Sequence, residues 1–387
     1  MLEGELITDV ERLAELTPEW DALAIAVGLP QMSPAWVLAW WRHVAPETAT
    51  PRTVVVRDGA EVVGIAPFFV EPDGGGRLDY RLPGIEIAGR LAPLAFAGRE
   101  WDVAEATAAT LAGAEPRPDA LRFDATPLDA HWLTALRDRW PGSLRAPLRL
   151  TQYEGNPLMS LQEGSFDAWL AGRSSNFRGQ MRRLRRRFAD AGGVSRLATR
   201  ETLAADAAAL TRLHAMRWDG RGHSNLVDLA DRFTAFVIDC GEQLLDAGRF
   251  ALRVLELDGE TICAQLFVGA GGTVLFVNGG WDERHADLKP SLVCLFDEVE
   301  HVFEQGARRF DLGVGEQSYK LRFADGSAPL AWGVLMTPGP RLPLTAARTA
   351  PALARARLRD SAHRMLSDEQ LRRLRAAQRK LRGGNRA

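Results

Sequence analysis

The chain has 387 residues, 46% of them hydrophobic and 25% charged, which is ordinary for a folded protein with a sizeable core. No apolar run approaches the roughly 18–20 residues of a membrane-spanning helix, and the acidic amino-terminal stretch lacks a signal core, so we predict a cytoplasmic protein. The net charge of −2 is uneven, because residues 341–387 hold 13 Lys or Arg against 3 Asp or Glu, which leaves an acidic body that argues against nucleic-acid binding.

The cysteine content is low and gives no sign of a disulfide framework or a zinc site. Cys240, Cys263 and Cys294 are an odd number, widely spaced, and each lies in an apolar setting. We therefore predict reduced core residues and no bound metal.

A two-part phrase occurs twice, about half the chain apart. Residues 54–70 and 254–268 each contain a β-rich run, an Asp-Gly pair (Asp58-Gly59 or Asp258-Gly259) and a second β-rich run. Asp-Gly favours the positive φ angles of a tight turn, so each phrase predicts a β-hairpin. Similar phrases follow at 121–124 and 308–311, which indicates that one unit is used twice.

The first half opens with helical patterns and then turns to strands. The predicted elements are helices at 9–27, 34–44 and about 102–113, a hairpin at 53–70 and a strand at 120–124. Residues 125–157 carry loop and helix signals, which predicts the crossover into the second half.

The second half repeats the order of helices, hairpin, helix and strand. We predict one helix from Phe166 to the stop at Gly192-Gly193, helices at 202–218, 228–247 and 291–305, and strands at 250–257, 261–269, 273–280, 308–313 and 329–336. This order implies an α/β (α+β) fold whose mixed sheets are mostly antiparallel with a parallel splice. The predicted divisions are domains 1–150 and 151–340 and a basic helical tail, 341–387.

A loop and a helix start after the strand at 273–280 have the features of an anion site. The strand ends in Asn278, Gly279, Gly280 and Trp281, and the helix begins at Lys289, Pro290, Ser291 and Leu292. Free backbone N–H groups and the helix dipole favour a phosphate at such a start. An ordinary loop with proline in the first turn is the alternative.

The phrase at 310–320 concentrates reactive side chains behind two glycines, Gly313 and Gly315. Asp311, Glu316, Tyr319 and Lys320 offer two carboxylates, a phenol and an amine. Such a set could supply a general base, a proton donor to a leaving thiolate and an anion partner. A polar turn with a surface salt bridge explains the same residues.

These two segments together resemble a known family. The loop with Lys-Pro-Ser, the helix and the phrase FDLGVGEQSYKLRF resemble the second half of GNAT-fold acyltransferases related to cellulose-biosynthesis and Fem-type proteins. The likeness extends through residues 176–178 and 214–218 and reaches 33–36 in the first half. One departure is Lys-Pro-Ser at 289–291, where that family usually has Ser-Pro-Gly.

The resemblance implies two tandem GNAT-like domains and transfer of an acyl group from a thioester, acetyl-CoA or another acyl-CoA, to an amine. Glu316 or Asp311 would be the base, Tyr319 the acid and Lys320 a substrate or phosphate partner. The implied cofactor contacts are Gly279, Gly280, Lys289, Pro290, Ser291 and Leu292, and the substrate contacts Gln265, His214, Arg217 and Trp281. Gln265 could equally satisfy a neighbouring backbone group, and we expect His214 and Arg217 to pack on their helix face rather than to act in catalysis.

The basic segments leave the partners open. Five arginines between 182 and 187 are typical of a solvated helix, or of a polyanion site for tRNA. The tail beyond 341 alternates arginine with leucine (Leu371, Leu374 and Leu381), so it could rest weakly on the inner membrane face, dock on the acidic body or stay free.

Three functions remain at this point. We favour an acyl-CoA-dependent N-acyltransferase whose acceptor is a small-molecule or glycan amine, in exopolysaccharide or envelope biosynthesis. A Fem-type aminoacyl-tRNA-dependent transferase and a catalytically silent assembly protein are the alternatives. The sequence does not indicate the acceptor, the acyl chain length or the oligomeric state.

Overall fold

The computed structural model describes residues 2–72, 75–162, 164–218 and 225–365. In this part of the chain, thirteen strands form one sheet with helices on its faces. The strands are β1 (Glu3–Ile7), β2 (Thr50–Asp58), β3 (Glu61–Val70), β4 (Asp79–Arg81), β5 (Leu94–Ala95), β6 (Ala120–Pro127), β7 (Leu148–Ser160), β8 (Val194–Leu197), β9 (Phe250–Leu257), β10 (Glu260–Ala270), β11 (Thr273–Trp281), β12 (Arg309–Asp311) and β13 (Gly326–Met336).

Thirteen α-helices are assigned within the same residues. They are α1 (Val10–Ala14), α2 (Thr17–Val27), α3 (Pro34–His43), α4 (Glu100–Ala112), α5 (Trp132–Arg139), α6 (Phe166–Gly172), α7 (Ser175–Asp190), α8 (Leu203–Trp218), α9 (Asn225–Asp228), α10 (Ala230–Leu244), α11 (Pro290–Glu304), α12 (Ser318–Leu321) and α13 (Leu342–Met365). Short 3₁₀ helices lie at Pro30–Met32 and Glu283–Leu288.

Both Asp-Gly phrases form hairpins, which confirms the two predicted hairpins. β2 pairs with β3 and β9 with β10, both antiparallel. Asp258 and Gly259 form the second turn with φ of 52° and 78°. In the first hairpin Asp58 still pairs with Glu61, so the two-residue turn is Gly59-Ala60, and Gly59 has φ of 62°. The Asp-Gly signal found both turns and misplaced the first by one residue.

Two predicted helices are each divided in the structure. The one at 9–27 breaks between α1 and α2 because a new helix begins at Thr17, with Pro18 in its first turn. The one starting at Phe166 breaks at Arg173, and the Ser174 side chain accepts a hydrogen bond from the Phe177 amide to start α7. A first-turn proline in α2 and a serine cap before α7 outweighed continuous apolar periodicity.

The largest error concerns residues 125–157, where the expected crossover contains α5 but ends in the 13-residue strand β7. Its sequence includes Gly155 and Pro157, which are depleted in strands. β7 nevertheless lies inside the sheet, paired with β12 on one side and β13 on the other.

The two halves share one sheet, in which β13 joins the strands of one half to those of the other. The strand order is β1-β2-β3-β4-β6-β13-β7-β12-β11-β10-β9-β8, so β13 follows β6 and β7 follows β12. Each half also has one parallel pair, β4 with β6 and β11 with β12. The predicted boundary at residues 150 and 151 falls within β7, and the division into domains stays a prediction.

Two apolar cores lie on opposite faces of the second half's strands. On β10, Ala264 and Leu266 belong to a core shared with α2, α3, α8 and α10, whereas Cys263 and Phe267 belong to a core under α6, α7 and α11. The first core crosses between halves, since Trp36 of α3 meets Phe236 of α10 with ring centroids 4.7 Å apart. All three cysteines are buried thiols, as predicted.

The start of the basic tail packs on the protein. Leu342 and Ala346 of α13 contact a small apolar cluster that includes Val334 of β13, and Arg341 lies 3.3 Å from Asp119. The prediction for Leu371, Leu374 and Leu381 falls outside the described residues. None of the helices described is both long and apolar enough to cross a bilayer.

Candidate functional site

The site begins where two parallel strands separate. β11 and β12 pair only at Thr273 with Arg309, Val274 with Phe310 and Leu275 with Asp311. β11 then continues to Trp281, while the chain after Asp311 enters the loop at residues 312–317. A bulge leaves Val277 without a partner on β10, because Leu266 pairs with Asn278 and Phe267 with Phe276. A bulged residue interrupts the ladder beside the gap.

The gap contains two adjoining cavities. The first, called the polar chamber here, has a volume of 300 Å³ and is lined by Glu86, Ile87, His214, Arg217, Leu226, Gln265, Phe276, Val277, Asn278, Gly279, Ser291, Gln317, Tyr319 and Lys320. The second, the apolar chamber, has a volume of 360 Å³ and is lined by Ile85, Ile87, Ala88, Gly89, Asn156, Leu275, Phe276, Val277, Gly313, Val314, Lys320 and Trp332. Four residues line both: Ile87, Phe276, Val277 and Lys320.

The first half of the chain supplies the roof of both chambers, residues 85–90. Gln31 donates from Nε2 to the Arg90 carbonyl at 2.7 Å, and Arg90 has a left-handed φ of 62°. The buried Arg90 guanidinium donates from Nη1 to Asp311 Oδ2 at 3.0 Å. These bonds tie the roof to the end of β12, so the site is built from both halves.

Asp311, predicted as a base, is buried and surrounded by donors. Besides the Arg90 contact, its Oδ1 accepts from Asn156 Nδ2 and from the Gly313 amide, each at 2.9 Å. It lines neither chamber. Its contacts hold β7, the roof and the loop after β12 together.

Glu316, the other predicted base, is exposed and lines neither chamber. Its Oε1 accepts from Ser327 Oγ at 3.2 Å, and its side chain lies over Gly155, where a Cβ would be 2.1 Å from Oε1. The left-handed glycines Gly313 and Gly315 turn the chain so that Val314 lines the apolar chamber and Glu316 faces outward.

Lys320 lies at the junction of the chambers and is 6% exposed. Its Nζ donates to the carbonyls of Val314 at 3.0 Å and Gly313 at 3.3 Å. Burial lowers its pKa to about 8, against the attraction of Asp311 and Glu154. An ammonium has three donors, so one remains for a ligand at the junction.

Tyr319 and Arg217 both line the polar chamber. Burial raises the pKa of the Tyr319 phenol, an effect that the nearby Arg217 charge opposes. The phenol therefore stays protonated at neutral pH and can act as a proton donor.

His214 joins the polar chamber from α8. Burial lowers the pKa of its imidazole, while hydrogen bonds with the Gly279 backbone and the Asn278 side chain act in the other direction. The ring is therefore mainly neutral at pH 7. Gly280 lets α8 approach the sheet, because a Cβ there would lie 2.3 Å from the His214 backbone nitrogen.

The predicted cofactor residues are only partly brought together. Gly279 and Ser291 line the polar chamber, and Gln265 Nε2 donates to the Ser291 carbonyl and Oγ, each at 3.0 Å. Gly280, Lys289, Pro290, Leu292 and the substrate candidate Trp281 do not line either chamber. Trp281 packs instead against the core under α11.

The start of α11 offers few free donors. Pro290 has no N–H, and the amides of Leu292 and Val293 donate to the Lys289 carbonyl at 2.9 and 3.3 Å. Ser291 supplies the amide and hydroxyl that remain near the chamber. The exposed Lys289 adds a positive charge beside this start.

Sequence reasoning missed Glu86 altogether. It lines the polar chamber from the roof, and its Oε2 is buried with no hydrogen-bond partner among the described residues. A lone carboxylate between Ile85 and Ile87 gave no motif that could have indicated it.

The five arginines of α7 between 182 and 187 differ in their surroundings. Arg185 lies 2.7 Å from both Asp297 and Glu300, and Arg187 lies 2.7 Å from Asp287. Arg182, Arg183 and Arg186 are exposed. Among the described residues, no group of three or more His, Cys, Asp or Glu could hold a metal ion.

Comparison with known proteins agrees with this architecture. Residues 175–321 match the family described as the acetyltransferase (GNAT) domain. The matched segment includes β11, β12 and α11, and hence the gap between the two strands. No match was found among curated protein sequences.

Solved structures share the fold along most of their length. A FemX crystal structure has a TM-score of 0.58 at 13% identity and covers 86% of this chain and 97% of FemX. The C-terminal domain of a protein described as a lysylphosphatidylglycerol synthetase, from Agrobacterium fabrum, has a TM-score of 0.54 at 12% identity and covers 87% and 96%. A protein of unknown function from Bacteroides thetaiotaomicron has a TM-score of 0.53 at 11% identity and covers 87% and 100%. The predicted GNAT-like α/β fold is confirmed, and the kinship with cellulose-biosynthesis proteins stays a prediction.

Proposed function

We propose that the protein is an N-acyltransferase that moves an acyl group from a thioester, acyl-CoA, to an amine in the gap between β11 and β12. The observation that carries this proposal is the polar chamber at the strand bulge. It combines a neutral imidazole, a carboxylate and a protonated phenol beside Val277. These are the groups that aminolysis of a thioester uses.

The residues divide the proton transfers between them. An amine reacts as the free base, so its ammonium first gives a proton to His214, while Glu86 balances the positive charge. The amine nitrogen then forms a bond to the thioester carbonyl carbon, and the carbon–sulfur bond breaks. Tyr319 gives its proton to the departing thiolate, and its oxygen takes up the proton that the nitrogen loses as the amide forms. Lys320, at the junction, stabilises negative charge that develops on the carbonyl oxygen.

The donor end of the chamber supports acyl-CoA with a limited set of contacts. Ser291 can donate from its amide and hydroxyl to a pyrophosphate, and Lys289 adds a positive charge at the same helix start. We assign the proton-accepting role to His214 rather than to Asp311 or Glu316, because those two carboxylates line neither chamber. A glycan or small-molecule amine in envelope biosynthesis remains our proposed acceptor.

Titration calorimetry with acetyl-CoA tests the donor. We expect saturable binding by the full chain, and no heat of binding would overturn the acyl-CoA proposal. Where turnover is measured as thiol release with an amine panel, Tyr319→Phe should slow it by ~10²-fold or more. Tyr153→Phe is the matched control, because Tyr153 is 56% exposed on β7 and lines neither chamber.

An aminoacyl-tRNA donor is the second candidate, favoured by the few free amides at the start of α11 and by the exposed arginines of α7. A filter assay with charged tRNA should then show binding that weakens steeply as salt rises. Binding of neither acetyl-CoA nor charged tRNA would favour the assembly-protein alternative.

A further inference from the structure

We propose that the apolar chamber receives the chain of an acyl group longer than acetyl, so that the enzyme prefers medium-chain acyl donors. This inference rests on the proposed acyl-CoA function and names the substrate class that the site selects. It concerns the 360 Å³ cavity beyond Lys320, on the side away from Ser291.

The position of the chamber suits an acyl chain. The reacting carbonyl would lie where the two chambers meet, at Val277 and Lys320, which line both. A donor that enters past Ser291 and places its carbonyl there directs the rest of the acyl group into the apolar chamber. Ile85, Leu275 and Trp332 in its walls offer that chain apolar packing.

The distribution of charge argues against the amine in this chamber. Of the described residues lining it, only Asn156 and Lys320 carry an amide or charged side chain. Lys320 would repel an ammonium, and no carboxylate faces one there. The carboxylate of Glu86 and the imidazole of His214 line the polar chamber instead. The amine is therefore assigned to the polar chamber and the acyl chain to the apolar chamber.

The size of the chamber exceeds what an acetyl group needs. An apolar cavity of about 150 Å³ is enough to hold a benzene ring. The chamber measures 360 Å³. A lone methyl group would leave most of its apolar wall without contacts, whereas a longer chain would gain them.

The roof that closes the chamber is rigidly packed. At Gly89 a Cβ would lie 2.1 Å from Val314 Cγ2, so the roof and the loop after β12 are in close contact. The same roof is held by Gln31 and by the Arg90–Asp311 pair. The chamber is therefore a preformed cavity that a ligand does not have to create.

Calorimetry on the full chain with CoA, acetyl-, butyryl-, hexanoyl- and octanoyl-CoA tests the inference. Each buried methylene should lower Kd by about four-fold until the chamber is filled. Ala88→Phe should remove this dependence. Ala60→Phe, at the exposed tip of the first hairpin, should leave both the dependence and the Kd of acetyl-CoA unchanged.

The outcomes separate this inference from the proposed function. Equal affinities along the series, with CoA itself bound, would overturn the chain assignment and leave the acyltransferase proposal standing. Failure of every compound to bind would overturn both. If Ala88→Phe does not fold, Ile85→Ala is the second variant: enlarging the chamber should move the affinity plateau to longer chains, and an unmoved plateau would contradict the inference.

Discussion

Lys320 shows how a single residue couples the site to stability. Its ammonium is 6% exposed, and burial lowers its pKa to about 8 from an ordinary 10.5. The charged form is thus disfavoured in the folded protein. Below pH 8 the folded state carries the whole penalty, because the side chain is protonated there whether folded or not.

Lys320→Met should therefore make the protein more stable and less active at pH 7. We expect the free energy of unfolding to rise by ~1–3 kcal/mol, since a shift of one pKa unit corresponds to about 1.4 kcal/mol and the lost hydrogen bonds offset part of it. Between pH 8 and 10.5 the unfolded wild-type chain binds more protons than the folded one, so wild-type stability rises with pH and the advantage of the variant shrinks. Urea unfolding at several pH values measures this.

The exposed Lys289 provides the control, and Lys289→Met should leave stability within about 0.5 kcal/mol of wild type at every pH. A Lys320→Met variant less stable than wild type at pH 7 would mean that the hydrogen bonds to Gly313 and Val314 outweigh the cost of the buried charge.

At the residue level, the sequence predicted which residues line the site better than it predicted the role of each one. Tyr319, Lys320, His214, Arg217, Gln265, Gly279 and Ser291 all line the chambers. Glu316 turns outward because of two left-handed glycines, which no spacing rule reveals. Glu86 comes from a roof more than a hundred residues away in the chain, and only tertiary contacts bring it to the site.

Among the elements, α8 packs against β11 through a close backbone contact at Gly280. A Cβ at Gly280 would lie 2.3 Å from the His214 nitrogen and 2.4 Å from the Leu213 carbonyl carbon. Both atoms are helix backbone, so the helix itself would have to move. His214 would move with it, out of the polar chamber.

Gly280→Ala should consequently destabilise the protein by ~2 kcal/mol or more and weaken any turnover that depends on His214. Gly179→Ala in α7 is the matched control: a Cβ there meets nothing within 4 Å, and alanine in a helix interior should stabilise by ~0.5–1 kcal/mol. Thermal unfolding of the two variants measures both changes in stability. Equal stability of Gly280→Ala and wild type would show that α8 does not pack as tightly as these distances imply.

The elements that sequence predicted well are those with local signals. Each hairpin has an Asp-Gly pair at or next to its turn, and α11 has proline at its first position and apolar periodicity. β7 has neither: Gly155 makes room for Glu316, and Pro157 lies in a strand stabilised on both sides by distant partners. The position of β7 depends on its distant strand partners, and the periodicity of its own sequence carries no information about them.

For the whole molecule, β13 joins the strands of the two halves into one continuous sheet. Without β13, β6 would lose its antiparallel neighbour, and without β7, β12 would lose its own. The Arg90–Asp311 pair and the Trp36–Phe236 contact add interactions between halves. Neither half can therefore lose its structure without exposing strand edges and apolar surface of the other.

We expect the chain to unfold in one transition rather than two. In differential scanning calorimetry, the calorimetric and van't Hoff enthalpies should agree, as they do for a single cooperative unit. Arg90→Met, in the first half, removes a partner of the buried Asp311 in the second, which typically costs ~3–5 kcal/mol. This variant should lower the temperature of the single transition without splitting it, and Arg145→Met, whose guanidinium is 65% exposed, should leave it in place. Two separate transitions, only one of them shifted by Arg90→Met, would mean that the halves fold independently despite the shared sheet.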